Sequence, residues 1–156
     1  MTMDELMRLA IDRGRAAIAA GQTPIGCAIA IGDRVVAANH NRVLATTDIT
    51  AHAEIVALRE ACHTTGQIHL EGALVASTCE PCPMCMSALH WARVDTVGYG
   101  ATIADAKTAG FNELRIPAAE IVRQGGSQVK LVSDVLKAEC AALFDEWKAS
   151  GQAKAY

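Results

Sequence analysis

The residues with the most chemistry in this chain crowd into one heptapeptide, "CEPCPMC" (79–85), where Cys79, Cys82 and Cys85 follow at intervals of three. Such a run suits an iron–sulfur cluster, a zinc ion, a redox pair, or three thiols beside a core. A cluster needs four cysteine ligands in the common cases, and the place of the fourth in the ferredoxin run is taken here by Leu89. A Cys82–Cys85 pair has the C-x-x-C spacing at a helix start, where a thiolate gains from the helix dipole. A redox pair leaves a second pattern unexplained.

Thirty residues before Cys82 stands "HAE": His52, Ala53 and Glu54. With "PCPMC" (81–85) it makes His-x-Glu … Pro-Cys-x-x-Cys, the pattern of zinc base deaminases. The physics fits the pattern. Catalytic zinc takes three protein ligands and keeps a fourth position for water. Cys82 and Cys85, at i and i+3, point the same way from one helix, and one imidazole with two thiolates suits the softness of zinc. Glu54 lies about 200° around a helix from His52. The two side chains can therefore reach one point only from a helix's first turn, where a carboxylate can shuttle protons. Taken singly, His52 and Glu54 read as exposed helix residues and the cysteines as core thiols; taken together they read as a zinc site. Cys79, on the far side of Pro81, reads as a buried thiol, as do Cys27, Cys62 and Cys140.

These side chains must be positioned by the elements around them. Thr2 and Glu5 form a capping box that opens a helix ending near Gly21, with Leu6, Leu9, Ala10, Ala17 and Ile18 near a 3.6 period. "CAIAI" and "RVVAAN" read as strands joined by a tight Gly32-Asp33 turn. "DITAHAEIVALREACHTTG" reads as a helix ended by Gly66, with Ile55, Leu58 and Cys62 on its apolar side. "GALVAST" (72–78) reads as a strand covered on both faces. A helix begins within "PCPMCMSALHWAR", with Pro83 in its first turn. "TVGYGAT" and "SQVKLVS" (127–133) complete five strands, "PAAEIVRQ" is a short helix from Pro117, and "DVLKAECAALFDEWKAS" is the last helix. The alternation predicts one α/β domain over 1–156, a sheet covered by helices on both faces.

The 156 residues are 51% hydrophobic and 20% charged, which is the balance of a globular domain with a real core. A net charge of −3 argues against nucleic acid as the main partner, because phosphate contacts need clustered Lys and Arg. No stretch is apolar enough to span a membrane. The charged, helical N-terminus is unlike a leader peptide, so a cytoplasmic location is expected.

At "TPIGCAI", "TAHAEIVALREAC", "TCEPCPMCMSALHWAR" and "ADAKTAGF" the chain resembles the cytidine-deaminase superfamily, in the branch holding guanine, cytosine and tRNA adenosine deaminases. The resemblance covers nearly the whole chain. It implies a three-layer αβα fold with a five-stranded mixed sheet, and one zinc per chain on His52, Cys82 and Cys85. It also implies hydrolytic deamination by zinc-activated water, with Glu54 as proton shuttle, and a homodimer.

Within the branch, "HWAR", "AGFNE" and the last residue resemble guanine deaminases. That likeness implies Glu113 and Tyr156 as contacts to a small nucleobase, with guanine converted to xanthine and ammonia; the wider resemblance adds Asn41, Ala53 and Trp91. Ile25 in "PIG" is similar to cytosine deaminases, and "DAKT" to the tRNA enzymes. Cytosine, isocytosine or a triazine is thus an alternative substrate, tRNA adenosine a further one, and a structural zinc module the alternative from another class. Each contact has a plainer reading as well. Asn41 can hold a turn, Trp91 can sit in the core, Glu113 can be a solvated loop acid, and Tyr156 can fray.

Overall fold

The computed structural model describes residues 1–156. Helix α1 (Met3–Ala19) opens with the Thr2–Glu5 capping box. The hairpin β1 (Gly26–Ile31) and β2 (Arg34–His40) turns through Gly32, whose φ of +59° falls where residues with a Cβ rarely go. A short helix α2 (Val43–Thr46) leads to α3 (Ala53–Thr65), strand β3 (Ala73–Cys79) and helix α4 (Pro83–Trp91). Then come β4 (Thr96–Ala101), α5 (Ile103–Thr108), α6 (Ala118–Gly125), β5 (Lys130–Val132) and α7 (Lys137–Ala149).

The five strands form one mixed sheet in the order β2-β1-β3-β4-β5. β1 is antiparallel to both β2 and β3, whereas β3, β4 and β5 run parallel. Helices α3, α4 and α6 cover one face, over Cys27, Ile29, Val75 and Val97. Helices α1 and α7 cover the other, over Ala28, Ala30, Ala76 and Ala101. This is the three-layer α/β arrangement expected, with the three inner strands β1, β3 and β4 buried almost throughout. No helix is long and apolar enough to cross a membrane.

Two expectations about element boundaries change. The last helix begins at Lys137 rather than at Asp134, because Asp134 and Leu136 adopt left-handed backbone (φ +61° and +46°) before it. The fifth strand keeps only three of its seven expected residues, at the sheet edge. Helices α2 and α5, of four and six residues, are too short to leave a periodic signal.

The alanine-rich face lets α1 approach β1 closely. A Cβ on Gly26 would run into the Ala10 carbonyl oxygen and stand 2.6 Å from the Gly14 nitrogen. Both obstacles are backbone and cannot swing away. Gly26→Ala is therefore expected to lower the unfolding free energy by about 2 kcal/mol or more through forced separation of α1 from the sheet. Gly125→Ala, in a helix with open space around the added atom, should leave stability unchanged or raise it by up to about 1 kcal/mol. Urea unfolding of the two variants checks this, and equal midpoints would refute the close-packing account.

Candidate active site

One end of the sheet gathers the start of β1 and the ends of β2, β3 and β4, since Gly26 pairs with His40, Cys27 with Ser77, and Cys79 with Ala101. Loops leaving the carboxyl ends of parallel strands are where open α/β sheets place ligands. α3 and α4 both begin there. His52 is the N-cap of α3 and Cys82 the N-cap of α4, each with extended backbone, and neither helix is capped by a side chain. Both side chains turn instead toward each other.

His52, Cys82 and Cys85 bring their ligand atoms within 4.8 Å of one another. His52 Nδ1 is 3.7 Å from Cys82 Sγ and 3.6 Å from Cys85 Sγ. A tetrahedral ion with zinc–nitrogen and zinc–sulfur distances of about 2.0–2.1 and 2.3 Å would hold N and S about 3.6 Å apart. The donor spacing thus fits zinc. Burial alone would lower the His52 pKa, but the hydrogen bond with Cys82 and the charges of Glu54 and Cys82 outweigh it and raise the value. Cys82 is held at about 4, first by its hydrogen bond with Cys85, against burial, and then by His52. The same Cys82–Cys85 hydrogen bond, with burial, pushes Cys85 well above an ordinary thiol. The cluster thus holds a thiolate beside a ring whose cationic form is favoured, and a divalent cation would displace the protons the cluster keeps.

Glu54, the second residue of α3, is 4% exposed. Its Oε1 accepts a hydrogen bond from Ser77 Oγ in mid-β3 at 3.3 Å. Burial, then the Cys82 charge, raises its pKa, which favours a carboxyl able to hold a proton. Ala53, between His52 and Glu54, is fully buried against the inner part of the site.

A cleft of ≈300 Å³ opens over His52 and Cys82, walled by Ile49, Met84, Phe111, Asn112, Glu113, Leu114 and Tyr156. It sits at the low end of the range for small-ligand pockets, about 300–1,000 Å³. Its inner part is lined by Ile25, Asn41, Ala53, Glu54, Cys79 and Glu80. Asn41 is fully buried, and the turn-holding reading is realised. Its Oδ1 accepts from the Val43 N–H at 3.0 Å, holding the turn into α2, and its Nδ2 donates to Tyr156 Oη at 2.6 Å.

Tyr156 does not fray. Its ring stands 5.9 Å from that of His52 and edge-on to Phe111 at 5.4 Å, and its carbonyl accepts from the Asn112 N–H at 3.0 Å. It lines the cleft of its own chain. Glu113 also reaches the cleft, and its pKa is pushed up to about 7, first by burial and then by the Cys82 charge. It is not a freely solvated loop acid.

Trp91 is a correction. It lies at the far end of α4 from Cys82, 78% exposed, beside Ile68 and Ala88, and is neither core nor cleft wall. Six positions on from Cys85, it faces another side of the helix and another end of the sheet. Cys79 is 4% exposed at the end of β3 and stands outside the ligand cluster, as a buried thiol beside the inner cleft. Glu80, Ser77 and Ile25 were not foreseen as site residues. Glu80 had one available signal, a charge placed directly after an apolar strand.

Residues 1–101 match the family model described as the cytidine and deoxycytidylate deaminase zinc-binding region. The chain belongs to that family. The matched residues contain His52, Glu54, Cys82 and Cys85, so the chain is a zinc-binding hydrolytic deaminase. It is 35% identical to a guanine deaminase of Bacillus subtilis over 133 residues, covering 85% of each protein. It is 37% identical to a tRNA-specific adenosine deaminase of the same organism over 145 residues, 92% of this chain and 88% of that one. The solved structure of a guanine deaminase from Nitrosomonas europaea superposes with a TM-score of 0.85 at 27% identity, covering 94% of this chain and 84% of that one.

For this deaminase, Glu54→Gln should keep the fold and one zinc per chain while kcat falls by about 10²–10⁴-fold, the usual worth of a positioned acid/base. Metal analysis beside ammonia release measures both. Undiminished turnover with zinc retained would remove Glu54 from proton transfer.

Proposed function

We propose that this deaminase acts on a free nucleobase, guanine foremost, yielding xanthine and ammonia. The observation that carries the reading is Glu113, a carboxylate on the cleft wall facing His52 and Cys82. An ionised carboxylate only accepts hydrogen bonds, and guanine presents ring and amino N–H donors around the carbon that is attacked. A donor left without its acceptor in a dry cleft is penalised strongly, so an acid there discriminates by hydrogen bonding rather than by size.

His52, Cys82 and Cys85 would hold the zinc, which would supply a water activated for attack by lowering its pKa to about 7. Glu54 takes a proton from the attacking water, passes it to the ring nitrogen beside the amidine carbon, and later delivers one to the departing amine. Water's oxygen ends on the carbon and the nitrogen leaves as ammonia, so one base and one water give one oxo base and one ammonia. Phe111 and Tyr156 wall the ring and keep bulk water out. The second N–H of Asn41, beyond the one given to Tyr156, is free for the base.

The 37% identity to a tRNA-specific adenosine deaminase favours a second reading, with tRNA as substrate. The cleft and its inner part are lined without a single Lys or Arg, and the acid that is present repels phosphate. That weighs for the free base. Ile25 on the inner wall keeps cytosine and isocytosine in the comparison set.

Ammonia release across guanine, cytosine, isocytosine, adenine and an anticodon stem-loop is expected to be fastest with guanine. Glu113→Gln should lower kcat/KM for guanine about 30–100-fold, the worth of a lost charge-assisted hydrogen bond, and alter any pyrimidine turnover far less. Equal losses, or none, would end the role of Glu113 as reader of the base.

A further inference from the structure

Glu80 stands between the end of β3 and the Pro81–Cys82 corner, and the chemistry above leaves it without a task. Its side chain is 9% exposed. A carboxylate taken out of water needs partners, and both of its oxygens have one. Oε2 accepts the Ile103 N–H at 3.1 Å, and Oε1 accepts the Ala118 N–H at 2.9 Å. These are the first residues of α5 and α6. First-turn N–H groups have no acceptor within their own helix. In α5 the Thr102–Asp105 capping box serves other N–H groups, and α6 is preceded by Pro117, which has no side-chain acceptor to offer. One side chain therefore completes the start of two helices.

Between those helices runs the segment that brings Phe111 and Glu113 to the cleft. Residues 111–117 have no regular structure. The segment is tied at its start by the Asn112 hydrogen bond to Tyr156 and by stacking of Phe111 on Trp147. Glu80 holds the start of the helix that leads into the segment and the start of the helix that follows it. The Glu80 backbone is itself fixed, donating to the Ala101 carbonyl at 2.8 Å. It lies two residues from the Cys82 ligand.

We propose that Glu80 is the positioning residue of the base-reading segment: by clamping the starts of α5 and α6 to the zinc-ligand corner, it sets where the Glu113 carboxylate stands against a bound base. The proposal rests on Glu113 as reader of the base. It gives the glutamate of "CEPC" a role in specificity rather than in ligation.

Glu80→Gln keeps the shape and leaves only one oxygen, so one helix start faces an NH₂ donor in place of an acceptor. Zinc content should stay at the wild-type level. Amide exchange of residues 103–118, followed by mass spectrometry on the zinc-loaded enzyme, should speed up about tenfold or more. KM for guanine should rise about tenfold with kcat within about threefold. In a Glu113→Gln background the same change should alter kcat/KM by less than about twofold, because the coupled groups act as one. Unchanged exchange over 103–118 would overturn the clamp, whatever the substrate. Faster exchange with an undiminished loss in the Glu113→Gln background would overturn the route through Glu113. A wild-type enzyme inactive on guanine would remove the guanine reading alone, and the exchange measurement would still decide the clamp. If Glu80→Gln does not fold, Glu80→Asp, with both acceptors on a shorter stem, is read by the same exchange criterion.

Discussion

The whole site depends on two helices beginning at the same point. A metal held by side chains from two distant segments needs those segments fixed to a fraction of an ångström. Here the fixing is done by backbone: His52 and Cys82 occupy the N-cap positions of α3 and α4. An N-cap side chain ordinarily serves its own helix, and giving that up costs about 1 kcal/mol per helix. Both helices forgo it, and their uncapped ends bring partial positive charge to a cluster that must hold thiolates. The arrangement is worthwhile only when something ligates those side chains, which ties the stability of this end of the sheet to the metal.

The sheet supplies the other half of the constraint. Because β1 runs antiparallel to β3, the start of β1 lies beside the end of β3. Ile25, Asn41, Ser77 and Glu80 can therefore surround the ligands although up to 55 positions separate them in the chain. The close seat of α1 at Gly26 holds that edge in register. Ser77 then presents its hydroxyl to Glu54, so a strand residue orients the carboxyl proposed to move protons.

What could be read from the residues alone was whatever is local or periodic. The ligand set is local: "HAE" and "PCPMC" are compact, and their chemistry follows from spacing. The strands and long helices are periodic, and their order already implied a sheet between helix layers. Trp91 was misplaced because a helix-face argument does not say which end of the helix faces the ligand. The fate of Tyr156 depends on a bond to Asn41 across 115 positions, which no local pattern reports. Glu80 is the clearest case: its partners are two backbone N–H groups, and backbone groups leave no trace in residue type.

The family match ends at residue 101, whereas Phe111, Glu113 and Tyr156 lie beyond it. The division has a physical sense. The candidate zinc ligands and the proposed proton shuttle project from the starts of α3 and α4, one wall of the cleft. The opposite wall comes from the segment after α5 and from Tyr156, and it carries the groups proposed to meet the far side of a base. The first wall must stay constant for the reaction to occur at all, because ligand spacing tolerates little movement. The second can change its hydrogen-bonding groups without disturbing the metal, provided it remains anchored. Two Bacillus subtilis proteins whose names carry different substrates can then both share more than a third of their aligned residues with this chain. Overall identity alone therefore does not choose between their substrates, and the choice has to be sought in the few side chains of the second wall.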